Sequence, residues 1–253
     1  YFMVDNFRNV GKSDDLFGNV ELNYKANNWL SLTYRLGATY TSGSYKATQS
    51  AYTYNSWSKD SVHKSVAGTG DMVSQVVDGE TISSRLNSEF FATITKKFGD
   101  IKLDALLGHS YRETDTKSVS VSSNNLAFPT LFNIIGRKGE PGASESNSKT
   151  RLQRFFGKVG FNYKNWAFAE VTGSYDMDSR LAYYYNFNFN DIRYFYPGGN
   201  VSFVLSDAIS ALKNNKTLSY LKVRGAISKT GNVNLGAQGL ENTYGLGGGF
   251  PYG

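Results

Sequence analysis

The 253-residue chain contains no cysteine and only 4 prolines. Without cysteine there is neither a disulfide scaffold nor a thiolate metal site. Charged residues make up 19% of the chain, below the usual ~25%. No stretch approaches the ~18–20 apolar residues of a membrane-spanning helix. That absence leaves a membrane β-barrel open, because barrel strands carry no such run. Lys and Arg exceed Asp and Glu by 27 to 21, giving a net charge of +6 and a pI near 9.2. The basic residues are scattered and form no block, so no nucleic-acid partner is expected. A solvated surface or a basic polar channel accounts for the balance. What the chain has in quantity is aromatics, 18 Tyr, 17 Phe and 3 Trp, together with 26 Gly. Chain-wide disorder is excluded on that count, since disordered chains are poor in aromatics. The length allows one large domain or two small ones. The chain opens on Tyr1 with no signal peptide and closes on the loop-like Gly245–Gly253, so an excerpt of a longer chain is expected.

Period-two alternation dominates. From Trp29 to Thr41, Leu30, Leu32, Tyr34, Leu36, Ala38 and Tyr40 fall on one face, with Thr33, Arg35 and Thr39 on the other. Side chains alternate across a strand, so this is one strand with an apolar and a polar side. It exceeds the average globular strand of about 5–6 residues and suits the roughly 9–11 needed to cross a bilayer. The same pattern predicts strands near 17–25, 84–97, 101–113, 151–163, 166–181, 192–205 and 217–229, eight in all with 29–42. Each neighbouring pair is expected to be antiparallel.

Connections alternate between short and long. Ala26-Asn27-Asn28, Phe98-Gly99-Asp100 and Lys164-Asn165 have hairpin chemistry. About Ser42–Ser84 and Glu113–Thr150 run long polar stretches, with Gly136–Ser148 read as plain flexible loop. An outer-membrane barrel alternates in this way, with short periplasmic turns and long extracellular loops. Tyr24 and Trp29 flank one turn and Tyr163 and Trp166 another, where an interfacial aromatic girdle belongs. The expected fold class is therefore all-β, a transmembrane antiparallel barrel.

Chemistry is sparse. The two histidines are His63, in the long loop beside Asp60 and Lys64, and His109, on the apolar face near a strand end. No nucleophile motif such as G-x-S-x-G is present and no His pair has zinc spacing, so neither catalysis nor a metal or cofactor is expected. The carboxylates of the 42–84 loop lack the order of a calcium loop. That loop does carry Tyr45, Tyr52, Tyr54 and Trp57. Exposed aromatics of this kind stack on sugars or anchor a partner; they also simply pack a loop. Tyr52, Tyr54 and Trp57 are the candidate ligand or partner contacts. The polar faces contribute Arg35, Asp104, Arg112, Arg154, Lys158, Glu170, Lys222 and Arg224, which in a barrel point away from lipid.

Three groups of segments carry a family resemblance. FGNVELNYKANNWLSLTYRLG at Phe17–Gly37, NLAFPTLFN at Asn125–Asn133 followed by RLQRFFGKVGFNYKNWAFAEVT at Arg151–Thr172, and YFYPGGNVSFVLSD at Tyr194–Asp207 with LSYLKVRGAISKTG at Leu218–Gly231 come in order and at plausible spacing. They resemble SusC/RagA-type TonB-dependent transporters of the Bacteroidetes outer membrane. Tyr175–Leu181, YDMDSRL, departs from the family's usual run. The resemblance implies a 22-stranded barrel of which residues 1–253 supply about eight strands from the middle. The family's plug domain and TonB-contacting segment are not visible in this sequence. Arg35, Asp104, Arg154, Lys158 and Glu170 would then face the plug or line the solute path, plug contact being preferred. The implied function is TonB-dependent uptake of an oligosaccharide or peptide with a SusD-like surface lipoprotein. The alternatives are a barrel that recruits partners without transport and, third, an outer-membrane enzyme.

Overall fold

The computed structural model describes residues 6–59, 71–182, 188–209, 212 and 220–241. His63, Asp60 and Lys64 lie outside the described residues, as does the start of the predicted 217–229 strand. Eight strands form: β1 (Phe7–Lys25), β2 (Leu30–Gln49), β3 (Gln75–Phe98), β4 (Ile101–Asn124), β5 (Gly142–Tyr163), β6 (Ala167–Asp178), β7 (Arg193–Val204) and β8 (Lys222–Ser228). They make one antiparallel sheet whose spatial order is the sequence order. Among the described residues, the connections hold the four-residue helices α1 (Ser56–Lys59) and α2 (Leu205–Ala208) and two 3₁₀ turns, Ile134–Gly136 and Ser179–Leu181. Among the described residues no helix is long and apolar enough to cross a membrane.

The hairpin turns form where expected. Asn27 Oδ1 accepts from the Trp29 and Leu30 N–H groups at 3.0 and 2.9 Å. Gly99 sits at φ +57°, and Lys164 and Asn165 take φ of 47° and 62°, the left-handed pair a two-residue hairpin with strand-matching twist requires. The β7–β8 connection is longer, opening on α2, and starts beside the Lys164–Asn165 turn, where the Val204 N–H donates to the Trp166 carbonyl at 2.7 Å.

β1 to β5 run longer than the alternation predicts, while β6, β7 and β8 lie within their predicted bounds. Ser42–Gln49 extends β2, β3 opens at Gln75, and Glu113–Asn124 extends β4. Gly142–Ser148, read as loop, opens β5. These stretches lack an apolar face, so they carry no hydrophobic period to read. They pair through polar groups instead. Thr81 and Ser118 hydroxyls meet at 2.9 Å, Ser83 and Thr116 at 3.0 Å, Ser120 and Ser144 at 3.5 Å. Alternate positions carry the cross-strand ion pairs Lys46–Asp78 and Lys117–Glu145, both at 3.3 Å.

Contacts divide the chain into two compact units. The first comprises Tyr1–Phe17, Thr39–Arg85 and Asp115–Ser148; the second Gly18–Ala38, Leu86–Thr114 and Lys149–Gly253. The first has a small buried centre at Val76 and Leu126. Leu126 is held there by its N–H donating to the Ser74 hydroxyl at 3.0 Å, with Asn125 beside it at φ 58°. In the second, Val204 is the one buried apolar side chain among the described residues. A sheet this large with so little interior is stabilised on its faces by something other than its own core.

Candidate functional site

The register of the second unit separates two faces. Across β5 and β6, Val159 opposes Val171 and Phe161 opposes Ala169, while Arg154 opposes Asp176 and Gly160 opposes Glu170. On β7 and β8, Phe203 opposes Val223, and Ser202 opposes Arg224. The alternation read from sequence is thus the alternation the pairing realises.

The apolar face lies open. Leu107 is 70% exposed, Val171 65% and Ile227 82%, with Phe90, Phe155, Phe161, Phe195 and Val201 all exposed as well. Along this face charges are missing from Ile101 to Tyr111 on β4, Gln153 to Tyr163 on β5 and Ala167 to Met177 on β6. Each stretch matches the roughly 9–11 residues of a tilted membrane strand. Charge returns at the next position. Glu113 accepts from Lys149 at 2.8 Å, Arg151 at 2.7 Å and the Tyr111 hydroxyl at 2.8 Å. Those three donors, Lys149 first, hold its carboxyl down at about 2, so the cluster stays charged at physiological pH. His109 sits just inside this border. Its Nε2 lies 2.9 Å from Gln153 Nε2, and its ring packs 4.7 Å from that of Phe155. At the other border Lys96 stands over Trp29 and Phe98 at 5.5 and 5.1 Å, and Trp166 meets Tyr163 edge-on at 5.8 Å, the aromatic-and-cation rim of an interface.

The polar face carries charge pairs, most of them between neighbouring strands. Arg35 donates to Glu21 and stands 5.1 Å from the Phe91 ring. Arg154 grips Asp176 in a two-pronged contact, Nε to Oδ1 at 2.9 Å and Nη2 to Oδ2 at 2.6 Å. Asp104 accepts from Lys102 at 3.0 Å and from Thr95 at 2.9 Å. Glu170 lies 3.8 Å from Lys158 and accepts from Asn200 at 3.0 Å. Asp104, Lys158 and Glu170 border one open concavity of about 560 Å³, with Thr93 and Asn200. Arg35 lines a second of about 340 Å³, with Glu21, Asn87 and Arg112, whose Nε donates to Asn87 at 3.1 Å. Arg154 borders neither. Arg35, Arg154 and Lys158 each meet a carboxylate, while Arg112 meets the Asn87 amide, which suits a wetted wall more than a site that captures one ion.

Tyr52, Tyr54 and Trp57 belong to the first unit. Tyr52 exchanges backbone hydrogen bonds of 2.9 Å with Met72. The Tyr52 and Tyr54 rings meet edge-on at 5.1 Å. The Tyr54 N–H donates to Asp71 at 2.8 Å, and Lys59 reaches the same carboxylate at 2.7 Å. Lys59 foremost, then that N–H, holds the Asp71 carboxyl below the usual carboxylate range. Trp57, on α1, is 60% exposed. Among the described residues no three His, Asp or Glu side chains gather as a metal site would need.

The same wall exists in solved structures. The chain superposes on the RagAB peptide transporter with a TM-score of 0.76 over 93% of its length, at 15% identity. Against the RagAB peptide importer the values are 0.75, 92% and 16% in the closed-closed state, and 0.76, 93% and 15% in the open-open state. The likeness is one of fold, a section of β-barrel wall. The chain spans 24% of the length of each of those chains. No known family profile and no curated protein matches the sequence. In such barrels one face of each strand meets hydrocarbon and the other the lumen.

Three contributors to the polar face escape sequence reading. Phe91 sits at a polar-face position under Arg35. Gly108 is buried against Phe156 and Phe91. Tyr45, read as a loop aromatic, lies within β2. A polar-parity aromatic inside an alternating run is the one signal that could have marked Phe91 and Phe156.

Proposed function

We propose that this chain is wall from a TonB-dependent, SusC-like transporter of the Bacteroidetes outer membrane, importing an oligosaccharide or peptide together with a SusD-like surface lipoprotein. In this reading the barrel does no chemistry and needs no cofactor. The observation that carries the membrane part is the exposed, charge-free apolar face backed by a polar face rich in ion pairs. A water-exposed sheet would not leave Leu107, Val171 and Ile227 open together on one face. The transport part rests on the barrel-wall likeness and on the ordered family segments. Arg35, Asp104, Arg154, Lys158 and Glu170 are assigned to the lumen, in contact with the plug. Tyr52, Tyr54 and Trp57 are assigned to cargo or the lid lipoprotein.

Two experiments test this. Single cysteines at Ser56 and Ser146 of the full-length protein should react with a membrane-impermeant maleimide on intact cells, whereas one at Asn165 should react only after lysis. Labelling in the reverse order would invert the topology. In the same protein, Trp57→Ala should weaken cargo capture or lid association by about 1–2 kcal/mol and leave barrel assembly unchanged. Unaltered growth on the cognate nutrient and unaltered co-purification of the lid would take Trp57 out of the mechanism. Uptake that persists without TonB would refute energised transport and favour a structural barrel.

A further inference from the structure

The connection between β4 and β5 is a closed knob with an apolar tip. Asn125 to Gly136 holds no charged residue. Leu126 bridges Arg137, and the Ala127 N–H donates to the Gly136 carbonyl at 2.7 Å, which shuts the loop at its base. Within it the Leu131 N–H donates to the Phe128 carbonyl at 2.9 Å, and Asn133 Oδ1 accepts from the Ile135 N–H at 3.0 Å. These bonds fix the shape of the tip, yet its large side chains are bare. Phe128 is 66% exposed, Leu131 56% and Ile135 79%.

The knob shares its support with the aromatic loop. Along Asp71–Ser74, the Asp71 carboxylate accepts from the Tyr54 N–H and Met72 exchanges backbone bonds with Tyr52. The Val73 carbonyl accepts from Gln49 Nε2 at 3.1 Å. Ser74 then accepts from the Asn125 N–H at its carbonyl, 2.7 Å, and from the Leu126 N–H at its hydroxyl, 3.0 Å. One short segment therefore holds both the apolar tip and the exposed Tyr52, two residues from Tyr54. The strands next to the knob are not lipid-facing. β4 and β5 carry Lys117–Glu145 on one face and Ser120–Ser144 on the other, and a charge facing hydrocarbon is costly.

We infer that the tip of Phe128, Leu131 and Ile135, together with Tyr52, Tyr54 and Trp57, is one docking surface for a folded protein, the surface lipoprotein of the reading above, on which this assignment rests. Small solutes are held in concave sites, whereas side chains this exposed stand out from their loop and fit a pocket on a partner. A patch of bare apolar groups marks a protein contact where no membrane covers it. Its fixed backbone lowers the ordering cost of binding. Arg137 and Lys138 follow the tip directly, against the single carboxylate of Glu140. That basic edge calls for a partner patch edged with carboxylates. A second copy meeting it knob to knob would oppose cations to cations.

The test uses the full-length protein purified in detergent and the lipoprotein freed of its lipid anchor, with binding followed by biolayer interferometry. Phe128→Ala and Ile135→Ala should each weaken binding about tenfold or more. Phe128→Leu should stay within about threefold of the parent. Arg137→Glu with Lys138→Glu should lose more than Arg137→Gln with Lys138→Gln, and added salt should weaken the parent complex. Heat-modifiable migration on gels establishes that each barrel is assembled. Parent-like binding by both alanine variants would overturn the docking surface and leave the lid reading standing. A parent that binds no lipoprotein would remove the lid reading and the surface with it. A concentration-dependent dimer that Phe128→Ala breaks, with lipoprotein binding unchanged, would assign the knob to a second copy and overturn the proposal.

Discussion

Leu107→Arg should block assembly of the full-length barrel into the outer membrane, although Leu107 is 70% exposed and touches little. In water, changing so exposed a leucine alters stability by no more than about 0.5 kcal/mol. In a membrane the same change places a guanidinium at mid-depth, because Leu107 sits near the centre of Ile101–Tyr111, whose apolar-face positions are free of charge. There it costs about 2–4 kcal/mol. Val171→Arg, at the middle of Ala167–Met177, should behave alike. Asn162→Arg is the control, since Asn162 borders the polar-face concavity beside Lys158 and Glu170. The measurement is the fraction of heat-modifiable barrel in outer-membrane preparations. Equal loss in all three variants would mean that both faces meet the same medium. Equal tolerance would mean that no lipid covers the apolar face.

Gly108→Ala is expected to be nearly as damaging for a different reason. A Cβ at Gly108 would stand 2.5 Å from Phe156 Cζ, 2.8 Å from Phe156 Cε2 and 2.9 Å from Phe91 Cβ. The Phe156 ring can turn aside, but Phe91 Cβ moves only with the β3 backbone. Overpacking of this kind costs about 1–3 kcal/mol. It should also displace Phe91 from beneath Arg35. At Gly18 an added Cβ meets nothing within 4 Å, so Gly18→Ala should be neutral or slightly stabilising through its effect on the unfolded chain. Pairing Gly108→Ala with Phe156→Leu should recover part of the loss. Urea unfolding of the purified barrel gives both numbers, and a silent Gly108→Ala would show that the aromatic pair is not closely packed.

How far the sequence reaches depends on which physical constraint acts at each residue. Where one face of a strand must be apolar throughout, the pattern is legible. Leu30–Tyr40 and Phe155–Tyr163 show both the strand and its face. A one-residue slip would put every apolar side chain on the polar side, so composition specifies register there. Turns are legible for a comparable local reason, since Gly99 and Asn165 supply left-handed backbone that few other residues tolerate. Charged positions such as Arg154 were visible, but their partners were not. Asp176 is 22 residues away and becomes a partner only through the β5–β6 register.

By itself the sequence determined that this is an all-β chain, where its hairpins turn and which side of each apolar strand avoids water. Those properties follow from nearest-neighbour geometry and a period of two. Only the tertiary structure decided that Ser42–Gln49, Glu113–Asn124 and Gly142–Ser148 are strand, because their cross-strand hydroxyl and ion pairs leave no hydrophobic period to read. It also decided which charges meet, that Gly108 lies under Phe156, and that Tyr45 packs over Gly79. Each of these joins residues from different strands, so it depends on a register between strands that no single strand's pattern carries.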